Sequence, residues 1–286
     1  MKDVNIYTQN ELISIQKCEL EILDKFVSIC EKYNLTYFLD GGTLLGAVRH
    51  SGFIPWDDDI DVSMPRKDYQ KFLKIAQDEL GTEYFLQNVF IDKECPFIFS
   101  KIRKNNTSFV EWNKYKLNMN HGIYIDVFPF DILPNEEVAT FIKKSSKMID
   151  DFYLKFIPKR SYTDKKNIKW ILGDIFKSII FNLSKVLDKL KIAKSIDEYI
   201  SKYKEMNGKN ISYFNAFSID KKIYEKEILF PVKKIKFESK LYSVPHRYEE
   251  YLEKTYGDYM KLPPLEERVG HRPLIVNLNE NYKYKK

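Results

Sequence analysis

Behind Thr8, which has Glu11 three residues further on, Leu12, Ile15, Ile22, Phe26, Ile29 and Tyr33 recur at helical spacing. A capping box followed by that period predicts a helix from about Asn10 to Tyr33, broken at Asn34. The next run, Leu35-Thr36-Tyr37-Phe38-Leu39, is short, β-rich and bounded by Asp40-Gly41-Gly42. It predicts a buried strand entering a tight turn, with Thr43 to His50 as a brief helix behind it. From Phe53 to Met64, Ile60 and Val62 alternate with acids. That period of two predicts a strand, stopped by Pro65 ahead of a helix over about Arg66 to Leu80. Tyr84 to Phe90, Phe97 to Arg103, Thr107 to Trp112 and Gly122 to Phe130 are further strand candidates. The resulting order of α, β, short α, β, α and a run of strands is that of an α+β protein.

From about residue 136 to 211 the chain becomes Lys-rich and helical. Ile168, Ile171, Ile175, Ile179, Leu183, Val186, Leu190 and Ala193 form one stripe at i, i+3/i+4 spacing, which is expected to pack on the core. Trp170, Phe176, Ile180 and Phe181 add apolar bulk beyond the stripe, among Lys165, Lys166, Lys169, Lys177, Lys185 and Lys189. This second pattern also fits a face that touches a membrane surface or a partner.

Composition adds limits. With 286 residues, 44% hydrophobic and 31% charged, the chain is expected to be a soluble globular protein of one large or two small domains. The organisation expected is a core over residues 1–135, a basic helical region over 136–215 and a C-terminal segment over 216–286, together forming one unit. No run approaches the ~18 uncharged apolar residues of a spanning helix, and the N-terminus lacks the apolar core of a signal peptide. Three widely spaced cysteines, Cys18, Cys30 and Cys95, offer neither a disulfide framework nor a zinc knuckle and suggest a reducing, cytoplasmic setting. The net charge of +6 is uneven. Residues 1–140 carry −7, residues 141–211 carry +9 and residues 212–286 carry +4. Only seven of the 47 basic residues are Arg, against what base and phosphate readers need, so no nucleic-acid partner is expected.

The candidate chemistry lies where the chain is acidic. Asp40-Gly41-Gly42-Thr43 stands at a strand-to-helix turn, where adjacent glycines and a helix N-terminus suit a phosphate. In Trp56-Asp57-Asp58-Asp59-Ile60-Asp61 a period of two puts Asp57, Asp59 and Asp61 on one face and Asp58 with Ile60 on the other. Three converging carboxylates need a cation, for which Mg²⁺ or Mn²⁺ is the expectation. The same acids match the first ligand positions of an EF-hand, with Asp68 at its twelfth, but Val62 stands where that loop needs Gly and Pro65 lies inside it. Asp126, in Gly122-Ile123-Tyr124-Ile125-Asp126-Val127-Phe128, sits among apolar residues where a carboxylate is costly unless paired or bound to metal, so it is a third acid on a neighbouring strand or a cap or salt bridge at a strand end.

A Gly-Gly turn, a carboxylate pair on one strand and a third acid on a later strand form the layout of the nucleotidyltransferase fold: a mixed sheet flanked by helices, here with a helical Lys-rich insertion. Residues Tyr37 to Met64, YFLDGGTLLGAVRHSGFIPWDDDIDVSM, resemble the LicD family of phosphotransferases, to which fukutin-related protein is distantly similar. Phe99 to Glu111, His121 to Asp131 and Tyr251 to Pro264 are also similar to that family, while about residues 136–240 carry no match. The resemblance implies transfer of phosphocholine, or a related alcohol phosphate, from CDP-choline or another CDP-alcohol to a glycan or lipid-linked glycan. It implies that Gly41, Gly42 and Thr43 hold phosphate, that Asp59 and Asp61 hold metal with Asp57 assisting, and that Asp126 is the third acid, a metal ligand or the proton acceptor. Arg49, Lys101 and Arg103 become candidate diphosphate contacts, joined by His271 and Arg272 from the C-terminal segment. Its basic middle region, with a lipid-linked acceptor, is expected to hold the protein peripherally at the inner membrane face. Two other classes compete: a DxD glycosyltransferase using a nucleotide sugar, and a Ca²⁺-dependent binding module.

Overall fold

The first helix, α1 (Gln9–Lys32), begins where its capping box dictates. Glu11 N–H donates to Thr8 Oγ1, and Thr8 N–H donates to Glu11 Oε2 at 2.7 Å. The computed structural model describes residues 7–160, 167–214, 223–271 and 273–284. After α1 come β1 (Phe38–Leu39), α2 (Gly41–His50), β2 (Asp61–Pro65) and α3 (Arg66–Leu80). Strands β3 (Tyr84–Gln87), β4 (Ser100–Lys104), β5 (Ser108–Val110) and β6 (Tyr124–Ile132) follow. The Lys-rich region folds as α4 (Val138–Phe156), α5 (Ile168–Leu183) and α6 (Lys189–Ile200). The remainder forms β7 (Asn210–Ser212), β8 (Ile223–Glu225), α7 (Lys226–Leu229), β9 (Lys233–Phe237), β10 (Lys240–Val244), α8 (Tyr248–Tyr256) and β11 (Ile275–Asn277).

The central sheet has the order β1-β2-β6-β4-β3, with β7 on the far end of β6 and β8 beside β7. It is mixed: β2 and β6 are parallel, and β4 is antiparallel to β6. Helices flank it, which makes the protein α+β as expected. The larger apolar core joins α1 (Ile15, Ile22, Phe26), the sheet (Phe38, Val62, Val127) and α8 (Tyr251, Leu252). A second core gathers α4 and α6 through Phe141, Ile149, Phe152, Ala193 and Ile196. Arg66 ties the two together: its Nη2 lies 2.6 Å from Asp131 of β6 and its Nη1 2.9 Å from Asp197 of α6, with Arg66 and Asp131 both buried.

Two expectations are corrected. The strand over Phe53–Met64 is real only from Asp61 onward. Upstream, side chains from elsewhere take the main-chain groups that a ladder would need: Phe53 N–H donates to Glu238 Oε1 at 3.0 Å, and Gln16 Nε2 donates to the Asp57 carbonyl at 2.9 Å. The stripe from Ile168 to Leu190 does not pack on the core. No residue of α5 is buried, and Ile168, Ile175, Leu183 and Val186 are all exposed; of the whole series only Ala193 is interior. The three cysteines are buried and free.

Candidate active site

The register of the sheet assembles the site. Asp61 on β2 lies opposite Asp126 on β6, and Lys101 on β4 lies opposite Asp126 from the other side. Opposed residues on neighbouring strands project from one face, so Asp61, Asp126 and Lys101 form a row. Lys101 Nζ is 2.5 Å from Asp126 Oδ1 and 3.5 Å from the centroid of the Tyr124 ring, two residues along β6.

Residues 57–60 are irregular chain, yet the side-chain alternation survives: Asp58 and Ile60 are buried while Asp57, Asp59 and Asp61 remain partly open. The turn ahead of α2 is shaped to admit two of these acids. Gly41 has φ +53°, and a Cβ there would stand 2.6 Å from Asp61 Oδ2; a Cβ on Gly42 would stand 2.7 Å from Asp57 Oδ2. Only glycines allow that approach. The Thr43 hydroxyl oxygen accepts from Asp61 N–H at 2.8 Å, fixing the turn against β2.

Crowded acids that are half-withdrawn from water resist ionisation. Burial, with Asp59 and Asp58 adding to it, pushes Asp57 up to about 8. Burial, then Asp59 and Asp126, carries Asp61 well above the usual carboxylate range. Burial also raises Asp126, although Lys101 opposes it. Asp58 behaves differently: burial would raise it, but His271 and Tyr7 hold it below the ordinary value. It accepts from the Tyr7 hydroxyl at 2.5 Å and from His271 N–H at 3.0 Å, and lies 2.9 Å from His271 Nδ1. For His271 burial favours the neutral ring, and Asp59 and Asp58 overcome it, lifting the imidazole well above its usual value.

An oxygen-rich donor set with too little positive charge suits a hard divalent cation, so the residues fit Mg²⁺ or Mn²⁺. Asp59, Asp61 and Asp126 line one cleft with Lys101, and Asp57 adjoins them at the Gly42 turn. Asp58, Asp59 and His271 bring ligand atoms within 4.8 Å of one another.

The cleft over this row has a volume of about 790 Å³. It is lined by the acids, by Glu111 and Lys114, by aromatic Phe97, Phe99, Tyr124 and Phe128, and by Lys159, Arg160 and Lys177 from the basic region. Burial would raise Glu111, but Lys114 and Lys101 hold it well below the usual range. A carboxylate floor beside basic side chains can receive a polyanion bridged through a cation.

Residues 34–164 match the model of the LicD/FKTN/FKRP nucleotidyltransferase domain. Over 256 residues, 88% of this chain and 92% of the relative, the sequence is 34% identical to lipopolysaccharide cholinephosphotransferase LicD of Haemophilus influenzae. The chain belongs to the LicD family. It is also 33% identical over 121 residues to an uncharacterized protein of Rickettsia typhi, covering 36% of this chain and 39% of that one. Over 104 residues, 36% of this chain and 18% of the relative, it is 28% identical to the ribitol 5-phosphate transferase FKRP of Mus musculus.

In this LicD-family protein the expected site residues separate into groups. Gly41, Gly42, Thr43, Asp57, Asp59, Asp61, Lys101, Asp126 and His271 come together around the cleft floor. Arg49 does not line the cleft; its Nη1 donates to the Tyr259 carbonyl at 2.9 Å, which ties it to the C-terminal segment. Arg103 is wholly buried, donating from Nη1 to the Gly122 carbonyl at 2.6 Å and from Nε to Gln87, with Nη2 buried and unpartnered, and it does not line the cleft. Arg272 lies outside the described residues.

Several supporting residues carried weaker signals. Asp40 caps α2, its Oδ1 accepting from Gly41 N–H at 2.6 Å and from the Tyr251 hydroxyl, its Oδ2 accepting from the Ser63 hydroxyl at 2.6 Å. Glu19, buried on α1 with Oε2 unpartnered, is raised well above the usual range by burial and then by Asp59, Asp58 and Asp57. Its signal was an acid in the apolar face between Ile15 and Ile22.

Proposed function

We propose that this protein transfers phosphocholine, or a closely related alcohol phosphate, from a CDP-linked donor to a hydroxyl of a glycan or lipid-linked glycan, releasing CMP. The observation that carries this reading is the row Asp61–Asp126–Lys101 at a cleft lined by both aromatic and basic side chains. The Haemophilus relative, a lipopolysaccharide cholinephosphotransferase matching most of this chain, supports choline. The partial match to a ribitol 5-phosphate transferase supports the wider class of alcohol phosphates.

Asp59 and Asp61, with Asp57 alongside and Asp126 as third acid, are assigned to Mg²⁺ or Mn²⁺, which when bound neutralises the donor diphosphate. The N–H of Gly41 is held by Asp40, so those of Gly42 and Thr43 are assigned to phosphate oxygens at the start of α2. The acceptor oxygen bonds to the phosphorus bearing choline, the bond from that phosphorus to CMP breaks with its electron pair leaving on CMP, and Asp126 takes the hydroxyl proton. Phe97, Phe99 and Phe128 are assigned to the trimethylammonium group. Their rings pack with centroids 5.2 and 4.6 Å apart, and Lys101 Nζ already lies 4.9 Å from the Phe97 centroid. Buried free cysteines support a reducing, cytoplasmic location.

The test is a donor panel of CDP-choline, CDP-ribitol and nucleotide sugars, incubated with Mg²⁺ and purified lipopolysaccharide. CMP released from CDP-choline is the expected product. Nucleoside diphosphate released from a nucleotide sugar would replace this reading with a DxD glycosyltransferase.

A further inference from the structure

Helix α5 is amphipathic with its faces reversed. Ile168, Ile171, Leu172, Ile175, Phe176 and Ile179 share one side of the helix and are all exposed, from 47% at Ile171 to 73% at Ile168. Asp174, Lys177 and Ser178 face inward. Asp174 Oδ1 accepts from Arg160 N–H at 2.9 Å and its Oδ2 lies 3.7 Å from Lys159 Nζ. Lys177 Nζ donates to the Tyr153 carbonyl at 3.3 Å, and the Ser178 hydroxyl donates to the Pro158 carbonyl at 3.2 Å. The helix is thus fixed to the protein by its polar side, and no described element covers the apolar one. The apolar surface continues to the end of the helix at Leu183 and past it to Val186, which are 70% and 89% exposed. No described helix is long and apolar enough to cross a membrane.

We propose that α5 is an interfacial anchor, lying in the plane of an anionic lipid surface with its apolar stripe in the boundary between headgroups and acyl chains. Charge selects lipid over a second copy of the chain. Residues 167–194 hold six lysines against two acids; Lys177 and Lys189 turn inward onto main-chain carbonyls, while Lys169, Lys185, Lys191 and Lys194 are exposed. Two such faces pressed together would repel, whereas acidic headgroups complement them. Lys177 and Arg160 also line the catalytic cleft, so anchoring through α5 would set the cleft beside the interface, within reach of a lipid-borne acceptor. The anchoring does not depend on which donor the site uses.

The experiment floats the full chain with phosphatidylcholine vesicles, with or without phosphatidylglycerol, at low and high salt. Binding is expected on the anionic vesicles at low salt and should fall as salt screens the lysines. A double variant, Ile175→Asp with Phe176→Asp, should keep the wild-type melting curve and circular dichroism, because both positions face outward. It should lose at least about tenfold in vesicle affinity. A second reporter does not rely on that variant: tryptophan fluorescence from Phe176→Trp should be quenched by brominated phosphatidylglycerol beyond the quenching seen for wild type. Absence of wild-type flotation, equal flotation of the double variant, or no added quenching would each overturn the proposal. So would a wild-type dimer that stays with the vesicle-free fractions and is broken by the same substitutions, since α5 would then be a subunit interface.

Discussion

Replacing Gly41 by Ala combines two separable effects in one methyl group. The first is conformational. Gly41 has φ +53°, where an L side chain costs roughly 1–2 kcal/mol, partly offset by the stiffer unfolded chain, so the melting temperature should fall by about 2–4 °C in a protein of this size. The second effect is steric. The new Cβ would lie 2.6 Å from Asp61 Oδ2, whereas ordinary contact begins at 3.4 Å, so the carboxylate must retreat by about 0.8 Å. Misplacing a reacting or ligating group by ~1 Å costs on the order of 100-fold, and that is the loss expected in kcat/KM for CMP release from CDP-choline. Gly81→Ala is the control, since Gly81 has φ +66° but nothing within 4 Å of its added Cβ. It should lose stability and keep activity. Thermal melts and initial rates on the three proteins decide the matter. Gly41→Ala within about threefold of wild-type kcat/KM, where a displaced ligand should cost far more, would refute the coupling of this turn to Asp61.

Other consequences follow from the same site. Asp59→Asn or Asp61→Asn should abolish turnover with the fold retained, and activity within about tenfold of wild type in either would sink their assignment as ligands. CDP-choline should exceed CDP-ethanolamine by at least about tenfold in kcat/KM, with Phe99→Ala narrowing the gap; equal use of the two donors by wild type would reject the aromatic assignment. Arg66→Met should cost about 3–5 kcal/mol in denaturant unfolding by leaving Asp131 buried without its partner, and a loss below ~1 kcal/mol would show that the pair does not join the two cores as described.

The row at the centre of the site was legible because period-two alternation is local: Asp61 and Asp126 each stood out as acids in an apolar strand pattern, and the register aligned them. Links made through distant chain were not legible. Asp58 meets His271 across 213 positions, and Asp40 meets Tyr251 across 211. Nothing local to either residue announces such a partner. Arg103 follows Lys101 by two on β4 and shares its face, and both are buried, yet only Lys101 lines the cleft. Which of two residues on one strand face meets a cleft depends on what covers each end of the strand. The α5 stripe failed for another reason. A period of 3.6 shows that a helix has an apolar side but not which side the protein occupies. There the inward polar contacts of Asp174, Lys177 and Ser178 decided it.

The central claim, metal-dependent transfer from a CDP-linked alcohol at the Asp61–Asp126 row, is tested most directly by following CMP release from CDP-choline on lipopolysaccharide before and after addition of EDTA, with Mg²⁺ restored at the end. Release is expected to stop with the chelator, return with Mg²⁺ and be absent throughout in Asp61→Asn. Release at the same rate in EDTA, or undiminished in Asp61→Asn, would contradict it.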